Sequence, residues 1–119
     1  MPRVAHFEIA ADDPEKVTSF YASLFGWSVR KWEGPMDYWM FETGKPGDSS
    51  VGGAVMRREA APADIIITMQ VDSINDSLQN VKHLGGKIER DKYEIPGVGL
   101  HAYCRDPEGN VFGLLESHR

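Results

Sequence analysis

Cysteine is almost missing from this chain of 119 residues, where Cys104 stands alone. One cysteine excludes an internal disulfide and any zinc cluster built on several thiolates. An excess of basic charge is missing as well. Thirteen Lys and Arg against eighteen Asp and Glu leave a formal net charge of -5, which gives no footprint for nucleic acid. No apolar run approaches the length of a membrane span. The opening Met1-Pro2-Arg3-Val4-Ala5-His6 lacks the apolar stretch of a secretory signal. The expectation is a cytoplasmic protein, one domain by length, with neither nucleic acid nor membrane as partner.

What the chain does contain is a repeat of itself at a spacing of 60 residues. His6-Phe7-Glu8-Ile9-Ala10-Ala11-Asp12 falls on Ile66-Ile67-Thr68-Met69-Gln70-Val71-Asp72, each a strand ending at an Asp before a helix. The same register sets Leu24 on Leu84, Gly26 on Gly86, Val51 on Val111 and Gly53 on Gly113. A repeat at half length predicts two copies of one supersecondary unit, residues 1–58 and 64–119.

Local patterns fill in each copy. The first strand covers 4–10, with Phe7 and Ile9 on one face and His6 and Glu8 on the other. Asp13 as N-cap and Pro14 at the first helical position open a helix. Its stripe is Val17, Phe20, Tyr21, Leu24 and Phe25, and Gly26 stops it. Strands are predicted at 27–32, 37–43 and 51–56, with the turn-rich loop 44–50 before the last. Residues 59–63 connect the halves. The second copy has a strand at 64–71 and a helix capped by Ser73 with Asp76 behind it. That helix carries the stripe Ile74, Leu78, Val81 and Leu84 and ends at Gly85-Gly86. Strands near 87–93, 100–105 and 111–115 follow, the last two joined by Asp106-Pro107-Glu108-Gly109-Asn110. Each copy is then β-α-β-β-β, and the fold class is α+β: two tandem βαβββ units with curved sheet and outer helices.

Taken in order, His6, Asp12-Asp13-Pro14, Phe20-Tyr21, Leu24-Phe25-Gly26-Trp27, Leu84-Gly85-Gly86 and Asp106-Pro107-Glu108-Gly109-Asn110 resemble the vicinal-oxygen-chelate superfamily. That superfamily includes glyoxalase I, bleomycin-resistance proteins and extradiol dioxygenases. The nearest likeness is to its short glyoxalase-related members, and it covers essentially the whole chain. The resemblance implies two βαβββ units curling into a cup. In the metal-dependent members it implies a divalent ion held by a His or Gln in each first strand and a carboxylate in each last strand. Position by position these ligands fall on His6, Ile66, Gly113 and a site near Gly53. Only His6 is a donor, whereas a divalent ion needs several converging ones. No cofactor is therefore expected, and a metal-dependent glyoxalase I (lactoylglutathione lyase) is the weakest of three readings. The first reading is a metal-independent enzyme of lyase or isomerase type acting on a small organic metabolite. The second is a non-catalytic binding protein of the bleomycin-resistance type. A homodimer is expected, because one short chain leaves sheet edges and cup walls to cover.

Four residues are candidates for the chemistry. His6 and Glu8 sit roughly 6.5–7 Å apart on one strand face, as an acid–base or anchoring pair or simply as a polar sheet face. His101 and Tyr103 alternate in the penultimate strand and can hydrogen-bond or move a proton; Tyr103 read blandly is an amphipathic core residue. If the offset of 60 holds through the third strand, Phe41 joins their face, so that Trp39 or Phe41 supplies an aromatic wall. Thr68 and Gln70 are polar on the site face of the fifth strand. Gly113, like Gly53, leaves room there. Cys104, without a cationic neighbour, is expected to be buried and unreactive.

Overall fold

The computed structural model describes residues 2–45 and 47–118. Met1, Pro46 and Arg119, at the expected unit ends and in the expected turn-rich loop, lie outside the described residues. The order is β1 (Arg3–Ala11), α1 (Pro14–Phe25), β2 (Ser28–Lys31), β3 (Tyr38–Glu42), β4 (Gly52–Arg57), a 3-10 turn (Arg58–Ala60), β5 (Ile65–Gln70), α2 (Ile74–His83), β6 (Lys87–Ile95), β7 (Gly99–Arg105) and β8 (Val111–Ser117). This is an α+β fold in which the β-α-β-β-β order occurs twice. The described residues divide into two compact units, residues 6–65 and the remainder, the latter including the first residues of β1. No helix among the described residues is long and apolar enough to cross a membrane.

In the first unit the strands run β2-β3-β4-β1. β1 and β4 are parallel, with His6 opposite Gly52, Phe7 opposite Gly53 and Glu8 opposite Ala54. α1 starts as its sequence dictates: Asp13 accepts a hydrogen bond from the Lys16 N–H at 3.2 Å, and Pro14 occupies the first turn. It ends at Gly26, whose φ of 73° is the left-handed value glycine adopts without strain. Val17 and Tyr21 pack on Phe7, Ile9, Trp39, Phe41 and Val55. The rest of the predicted stripe is not buried. Phe20, Leu24 and Phe25 are exposed at 60%, 58% and 56%, and Pro14 and Thr18 are buried instead. A stripe of five positions is wider than the helix can press onto this sheet, so only its inner edge is covered.

The second unit runs β5-β8-β7-β6. β5 and β8 are parallel, with Thr68 opposite Gly113, while β7 and β8 are antiparallel, with Tyr103 opposite Gly113 and His101 opposite Leu115. Ser73 caps α2 by accepting from the Asp76 N–H, and Glu116 Oε1 accepts from the Ile74 N–H at 3.0 Å. Ile74, Leu78 and Val81 close a core with Val71, Ala102, Cys104 and Leu114. Leu84, expected in that stripe, is 79% exposed because it already lies at the C-cap.

Comparison of the two registers corrects the gap-free repeat. Glu8 faces Ala54 as Thr68 faces Gly113, so the counterpart of Gly113 is Ala54 and not Gly53. Met40 faces Ala54 as Tyr103 faces Gly113, so Tyr38 is the counterpart of His101. The offset is 60 in β1 (Glu8 to Thr68), 63 in β3 (Tyr38 to His101) and 59 in β4 (Ala54 to Gly113). It therefore departs from 60 by an odd number in both later strands, first between β1 and β3 and again across the β3–β4 connection, which is longer than its β7–β8 counterpart. Because side chains alternate at a period of two, an odd change reverses the face.

Candidate functional site

The first unit gathers three polar groups on the sheet face turned away from α1. β1 presents His6 and Glu8 there, and β3 presents Tyr38. The Tyr38 hydroxyl donates to Glu8 Oε2 at 2.6 Å. It also lies 2.6 Å from His6 Nε2. With its single proton committed to Glu8, the hydroxyl accepts from His6 Nε2–H, which sets the imidazole tautomer. The result is a continuous hydrogen-bonded line from imidazole to phenol to carboxylate. Its short O–H···O distance is that of a charge-assisted bond.

The neighbouring residues explain how Tyr38 spans the sheet. β4 lies between β3 and β1, and its residues on this face at the level of the two β1 groups are Gly52 and Ala54. Small side chains leave the phenol room to cross. The Tyr38 and His6 rings stack with centroids 6.1 Å apart, and Trp32 meets Tyr38 edge-on at 6.1 Å. Trp32 folds over Gly34, where a Cβ would overlap the indole. Glu8 is 5% exposed. Burial lowers the His6 pKa from its ordinary 6.5, opposed in part by the Glu8 charge, so His6 is neutral at neutral pH.

That shift has a consequence for stability. The unfolded chain binds a proton at His6 more readily than the folded one. The stabilisation linked to neutral His6 is therefore complete above pH 6.5 and is lost as pH falls below it. Melting temperature should drop more steeply for the wild type than for His6→Gln between about pH 7 and about pH 5. Parallel profiles would show that His6 carries no such linkage.

The second unit places His101, Tyr103, Thr68 and Gly113 together, again on the face away from its helix. The His101 and Tyr103 rings are 4.6 Å apart and edge-on, Tyr93 lies 5.5 Å from His101, and the Arg90 guanidinium sits 5.3 Å over Tyr103. His101, Tyr103 and Thr68 are buried. Gln70, further along β5, accepts from the Arg3 guanidinium at 3.1 Å.

Two expected aromatic residues are elsewhere. Trp39 and Phe41 are buried against α1 with Phe7 and Val55. They form the core of the first unit and not a wall beside the polar groups. Tyr38 was missed for the same reason: an offset of 60 carried through β3 assigned its face the wrong way. The signal was present in the sequence. In Tyr38-Trp39-Met40-Phe41 the more apolar alternate pair is Trp39 and Phe41, which is the pair a core would claim. Cys104 is buried, and burial first, then the Asp91 charge, pushes its thiol up to about 11. A thiol so shifted is not a nucleophile at neutral pH.

The four positions where the superfamily holds a divalent ion fit one poorly. His6 Nε2 already bonds Tyr38. Gly53 faces α1, with Phe7 filling the space beside it, and its true counterpart Ala54 offers no donor. Ile66 is apolar and 1% exposed, and at Gly113 a side chain would run into the Thr68 hydroxyl. Among the described residues no three His, Cys, Asp or Glu are grouped to hold a metal.

Comparisons with known proteins agree with this fold. The chain is 26% identical over 112 residues to CFP32 of Mycobacterium bovis, whose name classes it provisionally with the glyoxylases. The match takes in 92% of this chain and 42% of that protein, so the chain spans less than half the length of the curated relatives it matches. Among solved structures, a hypothetical protein of Bacillus halodurans, BH1468, superposes with a TM-score of 0.76 at 14% identity, over 99% of this chain and 96% of the other. A methylmalonyl-CoA epimerase of Streptomyces coelicolor gives 0.73 at 16% identity, over 98% of each chain. A glyoxalase/bleomycin resistance protein/dioxygenase superfamily member of Vibrio splendidus gives 0.68 at 15%, over 99% and 100%. Residues 6–115 match the glyoxalase-like domain family. The chain therefore belongs to that family, and its fold is that of the vicinal-oxygen-chelate superfamily.

Proposed function

We propose that this protein is a metal-independent enzyme of lyase or isomerase type that moves a proton on a small carbonyl metabolite. The observation carrying this reading is the His6–Tyr38–Glu8 line, with both links at 2.6 Å. Once Nδ1 of the neutral imidazole takes up a proton, Nε2–H passes to the phenol oxygen and the phenol proton to Glu8, which restores neutral His6 and leaves Glu8 protonated without moving a heavy atom. That lets one end take a proton while the other gives one. Neutral His6 serves as the end that exchanges with solvent through Nδ1. Glu8 is the buried carboxylate that receives the proton. Methylmalonyl-CoA epimerases share the fold, and an epimerase is an isomerase, which supports the reaction type and not a particular substrate.

The test is exchange of carbon-bound hydrogen for deuterium in D2O, followed by NMR across a panel of 2-oxo acids, ketones and thioesters. Protein-dependent exchange that saturates with one compound supports the reading. Tight binding of a compound with no exchange would favour sequestration instead, for which Trp32 beside Tyr38 offers a planar contact.

Metal independence makes its own prediction. Protein purified without added metal and freed of any tag should carry far less than one zinc, nickel, iron or manganese per chain by elemental analysis, and exchange should survive chelation. About one ion per chain, lost in His6→Ala, would overturn it.

A further inference from the structure

The second unit holds a buried hydroxyl that the His6–Tyr38–Glu8 line does not use. Thr68 is 1% exposed, and its Oγ1 meets no hydrogen-bond partner among the described residues. Buried hydroxyls in folded proteins are bonded to protein or to a bound molecule in the large majority of cases. Leaving one bare costs stability, since water is given up and nothing replaces it.

The surroundings of that hydroxyl are specific. Thr68 stands opposite Gly113 on the neighbouring strand β8. A side chain at Gly113 would overlap Thr68 Oγ1 and would lie 3.1 Å from His101 Nε2. Glycine thus brings two polar side-chain atoms to one point beside the β8 backbone, and any other residue would separate them. Tyr103, 2% exposed, flanks Gly113 on its other side. The groups around the point are a hydroxyl, an imidazole nitrogen and an aromatic ring, which suit a single oxygen atom on a small organic molecule.

We infer that Thr68 and His101, converging over Gly113, form a cradle for one oxygen of a small carboxylate or carbonyl ligand. The hydroxyl donates to that oxygen and the imidazole supplies the second polar contact. All three residues lie in the second unit, so the cradle stands or falls separately from the proton line of the first.

Acetate and acetamide serve as probes for the two oxygen sources. Each is titrated into the full-length protein while the Thr68 methyl and the His101 ring are followed by NMR. Saturable shifts of both residues are expected in the wild type and in Thr68→Ser, which keeps the hydroxyl. In Thr68→Val binding should weaken at least about tenfold, as loss of one hydrogen bond to a ligand oxygen implies. Binding of acetate alone assigns a carboxylate; binding of both probes assigns a carbonyl. Binding of neither, or equal affinity in Thr68→Val, overturns the cradle. Melting temperature gives an independent reading without ligand: there the Thr68 hydroxyl has no partner to lose, so Thr68→Val should melt no lower than the wild type. A melting temperature several degrees lower would mean the hydroxyl is already satisfied within the protein, and the inference fails.

Discussion

Tyr38→Phe should reduce catalysed hydrogen exchange by roughly 10²–10⁴-fold, the range expected when positioned proton transfer is lost. The substitution removes one oxygen atom. It cuts both the link to Glu8 and the link to His6 at once, since each bond is made by the same hydroxyl. The ring remains, and with it the stack on His6 and the edge contact with Trp32. Binding of the substrate should therefore change less than turnover. Stability should fall by about 1–3 kcal/mol, because a buried carboxylate loses a donor. Two results together test the line: kcat collapses, and the dependence of kcat on His6 protonation disappears from the pH profile. A phenylalanine variant that turns over nearly as fast as the wild type, with the same profile, would leave Tyr38 as a packing residue and remove the case for the relay.

Ile74→Ala should be the most damaging single truncation in the second unit. Ile74 is 0% exposed and touches the core formed by Val71, Leu78, Ala102, Cys104 and Leu114. Truncating a side chain so enclosed costs about 2–5 kcal/mol, the lost transfer energy plus the cavity left behind. That is on the order of 10 °C or more in Tm for a domain of this size. Ile74 is also the first residue of α2, and its N–H is held by Glu116, so the helix start cannot easily sink into the space. Leu84→Ala is the control. At 79% exposed, it should shift stability by no more than about 0.5 kcal/mol. Equal losses in the two variants would mean that α2 is seated on its sheet differently. Both follow from thermal or denaturant unfolding by circular dichroism.

Much of this protein is legible in its sequence because local rules decide it. Asp13-Pro14 and Gly26 fix the ends of α1, and Ser73 fixes the start of α2, through backbone groups and φ angles that do not depend on distant contacts. Strand alternation placed His6 and Glu8 on one face, and composition excluded disulfides and thiolate clusters. The order β-α-β-β-β, read twice, follows from these local signals and from the repeat.

The tertiary structure decided what crosses between strands. Whether Tyr38 or Trp39 faces away from α1 depends on how many residues the chain spends between β1 and β3, and pairing register, not local propensity, settles it. A separate one-residue change moved the counterpart of Gly113 from Gly53 to Ala54. Phe20, Leu24 and Phe25 carry the periodicity of a buried stripe, yet a helix lying on a sheet covers only the edge that touches it. The meeting of Tyr38 with His6 and Glu8, and of Thr68 with His101, joins residues about thirty positions apart in sequence. A period of two says which way a side chain points; only the folded sheet says what it meets there.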